Sequence, residues 1–559
     1  MHLLGRFRRS NVMAFFQRAR RTLSRARFCV LLLFLPVFVF LTGCSKAERP
    51  ADITIINGVE PESLDPAIIT GQADGRVVMG LFEGLTRLNE RTARPEPAMA
   101  EKWEISPDGR TYTFHLRTNL LWSTAEPITT ADVVYSWIRA LDPLTASEYA
   151  GQLFYVKNGE AFTTGKIKDP SQVGVHALDP YTLRVELEHP TPFFLDLCAF
   201  ETLTVVPRQT IQKYGDRWLM AQPLPCSGPY QLGYWHLNDK IRLIKNTNYW
   251  DAANTQSGII DMLPVGSPDA ALNLYIHGQA DIVWDKSLVP TDLIDLLLRR
   301  PDFHSFSYLG TYFIRFNVTK KPFDDARVRR AMGLVIDRER LVNKITRAGE
   351  QPAYQLVPPG TANYLPLNIT NYNPELARTL MAEAGYKNGQ GFPSFEYLFD
   401  APAGGSAKIH EDIAVEMQQM WHDNLGIQMN MRQLEWKVYL SAQAQLDYQV
   451  MRSSWIGDYN DPNTFLGMFT STDGNNHTGW KNPRYDALIH DANEEPDANR
   501  RAEIFKEAEK LLIDEDAPII PLFYYVGINY FDTNRIQGIY QNVLDMHPLQ
   551  TIKKIKPPR

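Results

Sequence analysis

The chain has 559 residues, of which 44% are hydrophobic, 11% aromatic and 22% charged, an ordinary globular composition with material for a large core and more than one domain. A formal net charge of -6 provides no basic footprint and argues against nucleic-acid binding.

Eight arginines between Arg6 and Arg27, with no acid among them, precede the apolar run "CVLLLFLPVFVFLTGC". That run is too short for a comfortable membrane span and reads as an export signal, residues 1–44, with Met13 as an alternative start. Its end, Leu-Thr-Gly-Cys, resembles a bacterial lipobox, which implies cleavage before Cys44 and lipidation of that thiol; a chance cysteine is the other reading. The polar "SKAERPAD" that follows suits a leash, so the expectation is an exported, membrane-anchored lipoprotein of the periplasm or cell envelope. Cys198 and Cys226 then remain in the body. In an oxidising compartment they are expected to form a disulfide, with two buried free thiols as the alternative. No CxxC or Cys/His cluster suggests a metal.

From Ile53 short strands and helices alternate. "ITIING" reads as a strand and "SLDPAIITG" as a loop. "SPDGRTYTFHLR" reads as a hairpin whose turn is Asp108-Gly109 and whose buried face is Tyr112, Phe114 and Leu116. "ITTADVVYSWIRALDP" predicts a helix with a threonine start and a proline stop, and "TLRVELEHPTPFF" a strand burying Leu183, Val185 and Leu187. Further helices are expected over "DDARVRRAMGLVIDRERLVNKI", over "NPELARTLMAEAGY" capped by Asn373, and over "KIHEDIAVEMQQMWHDNLGI". The last buries Ile409, Ile413, Met417, Met420 and Trp421 and has Gly426 beyond its end. "RRAEIFKEAEKLLIDEDAPIIPLFYY" reads as a helix feeding a buried aromatic strand. No repeat or low-complexity block interrupts this mixed α/β pattern.

Catalysis finds no support. There is no HExxH, no GxSxG elbow and no GxGxxG after a strand. In "GEAFTTGKI", Gly159 and Gly165 stand one residue too far apart for a phosphate loop, and no Ser or Thr follows Lys166. No enzyme activity, cofactor or metal is expected. One stretch raises a specific question: "MRSSWIGDYNDP", Met451 to Pro462, places Asp458 where a buried strand gives way to a turn. On local grounds Asp458 is either a turn-former or a fixed negative charge awaiting a cation that arrives with a ligand.

The blocks "GLFEGLTRLN", "PAMAEKWEISPDGRTYTFHLR", "CSGPYQL", "KPFDDARVRRAM", "LEWKVYL" and "SSWIGDYNDPNTFL" resemble, in order, the bacterial peptide- and nickel-binding family of extracellular solute receptors. The resemblance runs from Ile53 to Lys556 and is strongest to the oligopeptide-binding receptors of ABC importers. It implies an α/β fold of the two-lobed periplasmic binding protein type 2, in its large, three-domain, peptide-binding form. A discontinuous domain I would comprise residues 45–82, 209–309 and 527–559. An inserted domain II would span 83–208 and domain III 310–526, with two crossing strands as hinge. The ligand would be an oligopeptide engulfed as the lobes close. The partner would be an ABC permease, with a lipid anchor to the membrane, no nucleic acid and a monomeric state. A murein-derived peptide or other peptide-like solute is the alternative; an exported peptidase or amidase is more remote.

The resemblance gives Asp458 the peptide α-ammonium and gives Ser454 and Ile456 backbone bonds to the peptide chain. Trp455, Trp436, Tyr525 and Tyr149 would line side-chain pockets, Arg452 and His410 would meet a C-terminal carboxylate, and Asn475 would lie at a pocket edge. The chain also departs from its relatives. Thr70 and Arg315 replace acids, Thr346 replaces a lysine beside Arg347, and Gly310 and Ile456 stand where relatives pair two cysteines. Gln443 and Ala444 lack the relatives' basic character. Arg315 becomes a candidate for gripping an anionic ligand group.

Overall fold

The computed structural model describes residues 48–555 except 368, 370–371 and 402–405; the expected signal, Cys29 and Cys44 lie outside the described residues. Its strands in the two larger sheets begin with β1 (Ile53–Gly58), β2 (Ala100–Ile105), β3 (Thr111–Leu116), β4 (Val175–Asp179), β5 (Thr182–Glu186), β6 (Tyr230–His236) and β7 (Lys240–Lys245). They continue with β8 (Ile259–Pro264), β9 (Ile282–Trp284), β10 (Phe303–Phe316), β11 (Phe395–Ala401), β12 (Met429–Glu435), β13 (Val450–Ile456) and β14 (Ile519–Phe531). One large mixed sheet runs in the order β12-β11-β13-β10-β14-β9-β1-β8-β7-β6, with Gln351–Pro352 added beside β14. The chain passes into the half holding β11–β13 along β10 and returns along β14; these two antiparallel strands pair from Phe303↔Tyr530 to Arg315↔Ile519. Their register shifts between Ser307 and Thr311.

A separate four-stranded sheet, β2-β3-β5-β4, carries the expected hairpin. Gly109 turns it at φ +69, where glycine alone has no Cβ penalty, and Tyr112, Phe114 and Leu116 face one core with Leu183 and Val185. Helix α1 (Thr130–Leu141) packs Val133, Trp137 and Leu141 on that core and starts with a capping box of Thr129 and Asp132. A second core gathers Tyr312, Ile314, Ile413, Met417 and Trp421, and a third Ile53, Val77, Tyr230 and Leu243.

Three expectations change. The helix expected over "DDARVRRAMGLVIDRERLVNKI" is broken into α2 (Ala326–Leu334) and α3 (Arg338–Leu341), followed by a π-turn over Val342–Thr346. Asp337 is the cause: its carboxylate caps α3 by accepting from Arg340 N, an alternative to continuing α2. The Cys198–Cys226 disulfide is not formed. Both are free, buried thiols, Cys198 in the first core and Cys226 in the third, each supplying apolar volume to a different cluster. Arg315, expected as a ligand grip, is 2% exposed and committed internally: Nε donates to Ser453 Oγ at 2.9 Å and Nη1 to Asn475 O at 2.7 Å.

Candidate functional site

The site begins with the alternation of β13. Gly457 N donates to Leu309 O at 2.7 Å, which fixes the parity of the β10–β13 ladder: the odd-numbered residues direct their backbone groups to β10. Ser454 and Ile456 therefore direct theirs to the opposite edge. On that edge β11 pairs only with Val450 and Met451 among the described residues, and the Tyr439 hydroxyl donates to Arg452 O, so Ser454 and Ile456 have no strand partner there. Gly310 and Ile456 stand directly opposite each other, and a Cβ on Gly310 would meet Ile456 Cδ1 at 2.6 Å.

Beyond β13 the loop is held at nearly every residue. Tyr459 stacks on Phe193 with centroids 4.2 Å apart, and its hydroxyl meets that of Tyr155 at 3.3 Å. Asn460 Oδ1 accepts from Ala362 N at 2.9 Å. Asp461 takes a two-pronged bond from Arg501, at 2.6 and 2.8 Å, and accepts from Asn463 N at 3.0 Å. The turn-forming acid is thus Asp461. Asp458 is different: its backbone N–H donates to Thr464 Oγ1 at 3.2 Å, but its carboxylate takes one bond, from Gln152 Nε2 at 3.1 Å. Burial pushes Asp458 up to about 6, opposed by that single bond.

Asp458 lies on the wall of a cavity of about 660 Å³, together with Ser454, Trp455, Ile456, Tyr149 and Tyr525. Six of the eleven residues expected at a ligand site are thereby brought to one space, drawn from segments more than 300 positions apart. The others lie elsewhere. Arg452 and His410 flank Asp400, with Arg452 Nη1 at 3.5 Å and His410 Nδ1 at 3.2 Å from Oδ1. Arg452 Nη2 donates to Tyr525 OH at 3.2 Å, so this buried trio sits behind the cavity wall. Burial lowers His410 despite the pull of Asp400. Trp436 is 43% exposed and stacks on Tyr439, and Asn475 offers its carbonyl to Arg315.

Sequence reasoning did not single out Gln152, Asp196 or Glu201. The two acids interrupt the apolar stretch "FFLDLCAFETLTVV", and an isolated acid in such a run is a readable sign of a buried carboxylate. Both line the cavity, and burial pushes each up to about 7, with Asp461 adding to Asp196 and Asp458 adding to Glu201. Among the described residues no group of His, Cys, Asp or Glu side chains forms a metal cluster, and no helix is long and apolar enough to cross a membrane.

A mixed α/β body joined through two long strands, with an open strand edge and a lone carboxylate on a large cavity, is the build of a solute receptor. The chain belongs to the bacterial extracellular solute-binding proteins, family 5, whose model matches residues 94–477. The periplasmic oligopeptide-binding protein OppA of Salmonella typhimurium is 34% identical over 512 residues, 88% of this chain and 92% of the relative. The periplasmic murein peptide-binding protein MppA of Escherichia coli is 35% identical over 498 residues, covering 87% and 90%. Among solved structures, the murein tripeptide-binding protein MppA of Escherichia coli superposes with a TM-score of 0.77 at 33% identity, over 91% of this chain and 99% of that one. An oligopeptide-binding protein from Borrelia burgdorferi also reaches 0.77, at 32% identity over 90% and 100%.

Proposed function

We propose that this protein is the substrate-binding component of an ABC peptide importer, capturing oligopeptides by their backbone and amino terminus. The observation that carries the reading is Asp458: a desolvated carboxylate with one neutral donor, on a cavity wall, in a loop whose other acid is fully engaged. A partly buried charge short of donors calls for a specific partner, and the α-ammonium is the one cation every unblocked peptide carries. The free edge of β13 at Ser454 and Ile456 suits an added strand, which reads peptide main chain and leaves side chains to the roomy cavity. Trp455, Tyr149 and Tyr525 supply apolar and aromatic wall.

The domain scheme of 45–82, 209–309 and 527–559, then 83–208, then 310–526, belongs to the same proposal. The register shift of β10 against β14 at Ser307–Thr311 falls beside its boundary and suits a hinge. Lipidation at Cys44, a permease partner and a monomeric state complete the reading, which involves no bond chemistry. A murein-derived peptide is the second reading, favoured by the likeness to the MppA relative. Calorimetric titration of a tripeptide and its N-acetylated form tests the core claim. Acetylation should reduce affinity at least a hundredfold and the peptide should be recovered intact; equal affinity overturns the role of Asp458.

A further inference from the structure

The cavity wall has a lopsided charge ledger. Its three permanent cations are already engaged inside the protein: Arg87 with Glu96 and Asp251, both at 2.9 Å, Lys286 with Glu350 at 2.7 Å, and Arg76 with Asn57 O at 3.0 Å and Asp285 at 3.9 Å. Outside the lining, Arg452 is held by Asp400 behind Tyr525, and the exposed Arg94 acts on Asp196 from solvent. On the opposite side of the ledger, Asp458, Glu201 and Asp196 line the same space and form no ion pair with any described residue. Asp458 is close enough to Glu201 for its charge to oppose ionisation there. One ligand ammonium at Asp458 would leave Glu201 uncompensated. Beside Glu201, Tyr149 and Phe200 stand edge to face at 5.1 Å on the cavity wall, a surface that suits a cation.

Three side chains of the cavity wall have a buried polar atom without a hydrogen-bond partner among the described residues: Trp284 and Trp455 at Nε1 and His547 at Nδ1. An indole N–H is a donor only, and leaving it buried and unmade is costly.

We propose that the receptor selects ligands whose amino-terminal residue itself bears a second cation, a lysyl or arginyl side chain, with Glu201 as its counter-ion beside the Tyr149–Phe200 pair. This rests on Asp458 as the partner of the α-ammonium. Every arginine and lysine lining the cavity is already engaged within the protein, so the cavity distinguishes its ligands by positive charge.

The test is calorimetry at pH 7.5 with Lys-Ala-Ala and norleucyl-Ala-Ala, which share the α-ammonium and a similar apolar stem. Lys-Ala-Ala should bind at least tenfold more tightly to the wild type. That advantage should vanish in Glu201→Gln, which should bind the two peptides within twofold of each other. Equal affinities for the two peptides in the wild type, or an advantage that survives Glu201→Gln, would overturn the proposal. The first of these needs no variant and so stands whatever Glu201→Gln does to folding. N-acetylation interrogates Asp458 and the side-chain amine interrogates Glu201, so failure of one reading is distinguishable from failure of the other.

Discussion

Replacing Asp458 by asparagine should stabilise the ligand-free protein while destroying its affinity. Burial raises this carboxylate from an ordinary 3.8 to about 6, which corresponds to about 2–3 kcal/mol of penalty on the charged form. Because the folded-state value lies above the ordinary one, its contribution to stability is fully present below about 3.8 and is lost as pH rises through about 6. At pH 7.5 the folded wild type therefore carries the whole penalty. Asparagine keeps the shape and can still meet Gln152, but it has no charge to desolvate. Thermal melts of ligand-stripped protein at pH 7.5 should place Asp458→Asn above wild type. At pH 4 the two should converge. Binding of a free tripeptide should weaken by about 2–5 kcal/mol, the usual cost of removing one partner from a desolvated charge pair. A variant that melts below wild type at pH 7.5, or that binds with wild-type affinity, would refute the reasoning.

The same group makes affinity depend on pH: at pH 5 about one tenth of Asp458 is ionised in the free protein, so binding of a free tripeptide should be about tenfold weaker than at pH 7.5 by calorimetry. Arg501→Ala leaves Asp461 buried without its two bonds. Urea denaturation should register a loss of about 3–5 kcal/mol. Gly310 and Ile456 form a pair on β10 and β13 of the narrow, non-hydrogen-bonded kind. Installing cysteines at both should yield a disulfide under oxidising conditions, seen as no thiol titre above wild type in the denatured protein.

Local pattern was legible and distant pairing was not. The hairpin at Asp108-Gly109, the capped α1 and the buried stripe Ile413, Met417, Met420 and Trp421 follow from turn chemistry and a 3.6-residue period, and the structure has them. The break at Asp337 was hidden because the apolar period continues through it while one side chain redirects the backbone. Pairing of β10 with β14 joins segments over 200 positions apart, and nothing in either strand names the other. At the site, the WIGDYN stretch pointed to Asp458 through family resemblance, whereas Gln152, which bonds it, and Glu201, on which its charge acts, come from across the fold. Arg452 and His410 illustrate the converse. Their residue types suggest an anion site, and only the fold reveals that Asp400 neutralises it from β11.

The loop after β13 explains why two acids three residues apart have opposite energetic signs. Asp461 meets Arg501 in a fork and holds the turn, so its charge is compensated before any ligand arrives. Asp458 is held in place by its backbone and by its neighbours, with its carboxylate left short of partners. Its penalty in the free state is relieved only by a cation entering the cavity. That relief is a differential interaction: it favours whichever arrangement of the fold brings both walls onto the ligand, and a change of conformation driven by a ligand requires such a difference. On the proposed reading, rigid support around one unsatisfied charge couples recognition to closure, and a ligand unable to supply the cation should neither bind tightly nor stabilise a closed form, even when its side chains fit the cavity.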